Sequence, residues 1–162
     1  MESFVTVQPK YPDTVHYTGL NRPTHLEATA HDLYVEGEIP AEIDGAFFRA
    51  LHDPAYVPLR EDDVVLSRDG VIGKIEFKNG RVSCGVRYVQ TERFLAERKA
   101  GRSLFGVYRN PFTDDPSVAG VDRTVANTMP YYHAGRLFMS KEDGLPYRID
   151  PTTLETIGRW DY

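Results

Sequence analysis

Apolar and polar residues alternate most plainly between positions 71 and 88. Val71, Gly73, Ile75 and Phe77 fall on one side of an extended chain, with Ile72, Lys74 and Glu76 on the other. Asn79-Gly80 then supplies a two-residue turn, because both residue types tolerate positive φ. Val82, Cys84, Val86 and Tyr88 alternate on the way back, so the segment predicts a β-hairpin. The next segment, TERFLAERKAG, predicts a short helix packed on a sheet edge. Thr91 can cap it, Glu92 lies in its first turn, Lys99 in its last, and Gly101 can end it.

Towards the C-terminus the pattern shortens. TVANTMPYYH, RLFMSK, LPYRI and LETIGRWDY read as strands, separated by turns at Ala134-Gly135, Glu142-Asp143-Gly144 and DPTT. Four short strands with tight connections make an antiparallel meander the size of one propeller blade, although a sandwich or open barrel uses the same pattern. No second copy is clear enough to be an internal repeat. Upstream, DLYVEGEIP reads as a short strand stopped by Pro40, and AFFRA as a further apolar piece. HDPAYVPLRED and NPFTDDPSVAG read as loops, and residues 1–30, without a period, as an extended arm.

Composition narrows the function class. The chain has 162 residues, 41% hydrophobic and 27% charged, which suits one globular domain with a real core. Its net charge is −5 and no stretch concentrates Lys and Arg, which argues against nucleic acid or an anionic membrane as partner. The start lacks the basic flank and apolar run of a signal peptide, and no run is long enough to span a membrane. Cys84 is the only cysteine, so there is no intrachain disulfide and no thiolate zinc cluster. A cytoplasmic location is the expectation.

Lys141 is the most informative candidate. At the end of RLFMSK it shares a strand face with Leu137 and Met139, where an ammonium would lose water and its pKa would fall unless an acceptor held the charge. The alternative is a strand-end lysine with its head in solvent. Tyr108 could orient a polar ligand atom, or be a half-buried ring with its hydroxyl at the surface. His16, His25, His31, His52 and His133 show no metal-binding spacing and read as structural or solvated. Asp62-Asp63 and Asp69-Gly70 read as turn residues, and no G-x-S-x-G or P-loop is present.

Together, the stretches LYVEGEIPAEIDGAFFRA, EDDVVLSRDGVIGKIEFKNGRVS, RYVQTERFLAERKAGRSLFGVYRNPFTDD and TVANTMPYYHAGRLFMSKEDGLPYRIDPTTLETIG resemble, in order and spacing, the N-terminal part of the carotenoid cleavage oxygenase family. The bacterial lignostilbene dioxygenase branch is the most similar. The resemblance implies an all-β fold: the N-terminal, incomplete part of a seven-bladed β-propeller with one short helix, residues 121–162 forming one blade. It implies a non-haem Fe(II) held by four histidines, and cleavage of a hydroxystilbene C=C by dioxygen to two aldehydes. The family's histidine ligands lie beyond residue 162, so no metal ligand is expected in this chain; His133 matches a position that is not a ligand. Tyr108 and Lys141 match the tyrosine and lysine that bind the para-hydroxyl group.

Two departures accompany the resemblance. Leu66 stands where the stilbene branch carries an aromatic pocket wall. SRDGV stands where the family has Asp-Gly-Asp-Gly-Met, so that Arg68 would be strained if the glycine it replaces needs positive φ. The expected substrate-binding set is thus Tyr108, Lys141 and Leu66, with Tyr108 and Lys141 acting in catalysis. The partners are a phenolic stilbene, dioxygen, and a downstream segment or partner chain completing the propeller. Alone, the chain is expected to bind no iron and cleave nothing. A carotenoid or apocarotenoid cleaver, and a noncatalytic β-rich binding or assembly module, are the alternatives.

Overall fold

A computed structural model describes residues 10–161, and every strand in it belongs to one of two four-stranded antiparallel sheets. The first sheet uses β1 (Ala28–Ala30), β2 (Gly45–His52), β3 (Gly70–Lys78) and β4 (Arg81–Tyr88) in the order β1-β4-β3-β2. The hairpin is its centre. β3 and β4 pair from Val71 with Tyr88 to Lys78 with Arg81, and Asn79 and Gly80 take φ of 51° and 70°, which closes a two-residue turn of the twist that antiparallel strands favour. β2 pairs along the other side of β3, from Gly45 with Phe77 to His52 with Gly70.

Helix α1 (Glu92–Ala100) follows the hairpin. Thr91 Oγ1 accepts the Phe94 N–H at 3.1 Å, and Gly101 closes the other end in the left-handed conformation. Phe94 packs with Val71 and Tyr88 on one face of the first sheet. The opposite face meets the second sheet, built from β5 (Met129–His133), β6 (Arg136–Ser140), β7 (Tyr147–Ile149) and β8 (Thr156–Arg159) in sequential order. Between the sheets Ile72, Val89, Leu137, Met139, Tyr147 and Ile149 are buried together. This explains why Val71 and Ile72, neighbours that point to opposite faces of β3, are both apolar and both buried.

Several expectations need correction. The segment 32–40 forms no strand: Asp32 has φ of 50°, Gly37 has φ of 93°, and Tyr34 is 91% exposed, so the stretch has no buried face to hold it flat. The arm, read as extended without a strand, ends in one, since Ala28–Ala30 pairs with Cys84–Val86; residues 1–9 of the arm lie outside the described residues. Tyr17 within it is buried. TVANTMPYYH is strand only from Met129, LPYRI only from Tyr147, and LETIGRWDY only over Thr156–Arg159. The two predicted loops hold, with short 3-10 turns at Pro111–Thr113 and Pro116–Val118 in the second, though His52 closes β2. Asp63 and Asp69 are buried rather than solvated turn residues.

Arg68 is not strained. It adopts φ −69° and ψ 150°, ordinary extended backbone. Its guanidinium donates to the Asn21 carbonyl at 2.8 Å and lies 5.0 Å from the centre of the Tyr17 ring, tying the arm to this loop. Next to it, Gly70 has a steric reason to lack a side chain. A Cβ there would run into the carbonyl oxygens of Val125 and Ala126, which pass beside the start of β3. The Gly70 N–H instead donates to the Val125 carbonyl at 2.8 Å. That close approach brings residues 124–128, and β6 beyond them, against the 65–69 loop. No helix among the described residues is long and apolar enough to cross a membrane.

Candidate functional site

The segment carrying Tyr108 is held by carboxylates from three directions. Glu97 of α1 accepts the N–H groups of Leu104 and Phe105 at 2.8 and 3.2 Å. Asp114 accepts the Gly106 N–H at 2.8 Å and pairs with Arg123 at 2.8 and 2.9 Å. Asp63 Oδ1 accepts the Tyr108 N–H at 3.3 Å. These bonds satisfy backbone groups of a segment that has no strand partner, and so fix where the Tyr108 ring stands. Arg109, just after it, sits in the left-handed region with φ of 60°, a costly conformation for a non-glycine residue and one that clusters at functional sites.

Lys141 arrives from the second sheet. It lies one residue past the end of β6, yet only 6% of it is exposed. Leu137 and Met139 precede it at the alternating positions, and Phe138 on the other face is buried too, so β6 is covered on both sides. The Lys141 ammonium donates to the Leu66 carbonyl oxygen at 2.6 Å and stands 4.5 Å from the centre of the Tyr108 ring. It has no carboxylate within ion-pair distance among the described residues. Burial holds its pKa below the usual lysine value; Asp143 and Glu142 oppose that, and Arg93 and Arg109 reinforce it.

The three residues singled out from the sequence therefore meet. Leu66 does so in a way its side chain does not suggest: the residue is 53% exposed, and it is the backbone oxygen that holds Lys141. The Tyr108 ring is half-buried. Its hydroxyl donates to Glu142 Oε1 at 3.3 Å, leaving its lone pairs open. Glu142 is steadied by the Thr128 hydroxyl at 3.2 Å on its other oxygen. The Tyr108 hydroxyl is pushed up from the usual phenol value by partial desolvation, then by the nearby Asp143 and Glu142.

Beside this group is a cleft of about 320 Å³, at the lower end of the range for small-molecule sites. Lys141, Arg93, Arg109 and Arg123 line it with Tyr108, against a single carboxylate, Asp143. Arg93 and Arg123 are paired with Glu97 and Asp114, so the positive charge open to a ligand oxygen is that of Lys141 and Arg109. Arg93 and Glu97 form a buried pair at 3.6 Å behind the cleft. Asp69 lies near them, wholly buried, and burial pushes its carboxyl up to about 6, against the pull of Arg93 and with the push of Glu97.

Asp63 and Glu142 contribute to the site and were not legible as site residues. Asp63 and Glu142 looked like turn residues; the one sequence signal was that Glu142 directly follows Lys141, while Asp63 is 45 positions from Tyr108. The histidines do not gather. His16 and His25 lie in the arm, His31 beyond β1, and His52 and His133 at strand ends.

Comparison with known proteins shows what the chain is similar to. A family model described as RPE65, retinal pigment epithelial membrane protein, matches residues 21–162. Resveratrol cleavage oxygenase 1 of Chaetomium globosum is 48% identical over 153 residues, covering 94% of this chain and 26% of its own. Isoeugenol monooxygenase of Pseudomonas putida is 53% identical over 140 residues, covering 86% and 29%. The crystal structure of the lignostilbene dioxygenase of Pseudomonas brassicacearum superposes with a TM-score of 0.89 at 44% identity, covering 94% of this chain and 32% of that one. The chain thus spans about a quarter to a third of the length of these relatives.

Proposed function

The chain belongs to the RPE65, or carotenoid cleavage oxygenase, family, and we propose on that premise that it forms the phenol-holding part of an oxygenase that cleaves a C=C bond conjugated to a hydroxyphenyl ring. The observation that carries this is the buried, carboxylate-free ammonium of Lys141 set over the Tyr108 ring at the edge of a cationic cleft. A carotenoid hydrocarbon would gain nothing from such a group. The substrates named for the relatives above are phenols with a conjugated double bond, which would.

In this reading the two side chains do complementary work. Lys141 donates an N–H to the substrate's phenolic oxygen and favours its ionised form. While the phenol is still neutral, Tyr108, whose own proton is directed at Glu142, offers a lone pair to the phenol's proton. A phenol that is ionised or strongly hydrogen-bonded pushes electron density through the ring to the alkene, which is what attack by dioxygen requires. The cleft excludes water from one side of that oxygen and keeps the ring in one orientation.

The family resemblance carries an Fe(II) centre, which activates dioxygen when bound. Among the described residues no three His, Cys, Asp or Glu side chains come together as a metal site needs. The described residues do not fit an iron site. The corresponding part of the reading is that this chain alone binds no iron and cleaves nothing; stoichiometric iron together with oxygen uptake on a hydroxystilbene would refute it.

Binding tests the phenol site directly. The chain should bind 4-hydroxystilbene at least tenfold more tightly than 4-methoxystilbene, roughly the worth of one hydrogen bond to a charged group. Lys141→Met should abolish that preference. Equal affinity for the two ligands in the unmodified chain would end the phenol reading.

A further inference from the structure

The Leu66 carbonyl oxygen receives two hydrogen bonds, one from the Lys141 ammonium at 2.6 Å and one from the side-chain amide of Asn127 at 3.2 Å. The same amide nitrogen also donates to the Arg68 carbonyl at 2.9 Å. Both acceptors are carbonyl oxygens, so only the NH2 end of Asn127 can face them. We propose that Asn127 is a positioning residue for Lys141. It clamps the 66–68 backbone and thereby fixes the carbonyl against which the lysine is aimed. This rests on the phenol reading above and names the device that gives the lysine its direction.

The argument is one of counting and rigidity. A carbonyl oxygen has two lone-pair directions. Asn127 takes one, which leaves Lys141 the other and restricts the line along which its Nζ approaches. An ammonium has three N–H groups. One goes to Leu66 and one side of the head faces the Tyr108 ring, leaving one direction open to the cleft. A ligand oxygen is then met by a single aimed donor rather than by a rotating head group.

The clamp is itself anchored. The Thr128 N–H donates to the Ser140 carbonyl at 3.0 Å, so the residue after Asn127 is bonded to the residue before Lys141. The Gly70 N–H donates to Val125, two residues before Asn127. The 66–70 loop, residues 125–128 and the end of β6 therefore form one hydrogen-bonded unit with Asn127 at its centre. A side chain that only stabilised this unit would affect every ligand alike. One that aims Lys141 affects ligands that use the lysine.

The test is a double-mutant cycle read as the ratio of affinities for 4-hydroxystilbene and 4-methoxystilbene, measured on the whole chain by ligand fluorescence. Asn127→Leu should lower that ratio about tenfold, the size of a misaligned charge-assisted hydrogen bond, while affinity for the methyl ether stays the same. In a Lys141→Met background the same change should have no further effect on the ratio. Should Asn127→Leu fail to fold, Asn127→Asp keeps the shape, reverses the hydrogen-bond polarity towards both carbonyls, and carries the same expectation. A ratio unchanged by these variants, in a chain whose preference Lys141→Met removes, overturns the positioning role and leaves the phenol reading standing. No preference in the unmodified chain overturns both.

Discussion

At the residue scale, Lys141 shows how burial converts a common side chain into a specific one. Desolvation is the largest influence on its ammonium and lowers its pKa. If the ammonium holds the phenolic oxygen, affinity for a hydroxystilbene is present below the lysine's pKa and lost above it. Since that pKa is lowered, the loss begins at a lower pH than for an ordinary lysine. Lys141→Arg should bind without the loss over the same range, because a guanidinium does not titrate there; binding curves taken across alkaline pH check this. The identities of Tyr108 and Lys141 were visible in the sequence. The part played by Leu66 was not, because a backbone oxygen leaves no signature in side-chain letters. Arg68 shows the converse: a residue suspected of strain has an ordinary backbone and ties down the arm.

At the element scale, local chemistry was readable wherever a turn or cap required it. The hairpin and α1 follow from Asn79-Gly80 and from Thr91 with Gly101, because backbone geometry there admits few residue types. Thr91→Ala should lower stability by about 1 kcal/mol in denaturant unfolding, the usual worth of an N-cap. Gly70→Ala should cost more, about 2 kcal/mol, because the added methyl meets backbone and not a movable side chain. It should also weaken hydroxystilbene binding, since Gly70 seats the segment that carries Asn127. The segment 32–40 misled because a short apolar run stopped by a proline does not make a strand without a buried face. Only Leu33 among its residues donates to a neighbouring strand, to Val82 at 2.8 Å.

At the scale of the whole molecule, the cleft forms where α1 meets the loops that carry Ser67, Tyr108, Arg123 and Lys141, and the burial that builds it has an energetic cost. Asp69 is fully buried, with its carboxyl raised to about 6. A raised folded-state pKa means that the folded chain binds the proton more tightly than the unfolded one. The associated stability is therefore present at low pH and lost as pH rises through about 6. His52, whose imidazole is held below its usual pKa by burial, acts in the opposite sense, so the comparison must be made against Asp69→Asn. Between pH 7 and pH 5 the unmodified chain should gain about 1 kcal/mol relative to that variant in urea unfolding. A constant difference across this range would show that Asp69 does not take up the proton.

The sequence by itself determined the hairpin, the helix with its two ends, the strand meander, the family, and the letters Tyr108 and Lys141. These depend on short-range rules or on motifs in a fixed order. Tertiary structure alone decided that both faces of β6 were dry, that Asp63 and Asp69 were buried, and that Asn127, Leu66 and Lys141 meet, although Leu66 and Lys141 are 75 positions apart. The physical reason is that desolvation and hydrogen-bond aim depend on what packs against a group. For Lys141 that is a carbonyl and a ring brought from two distant segments, and no local pattern of residues encodes them.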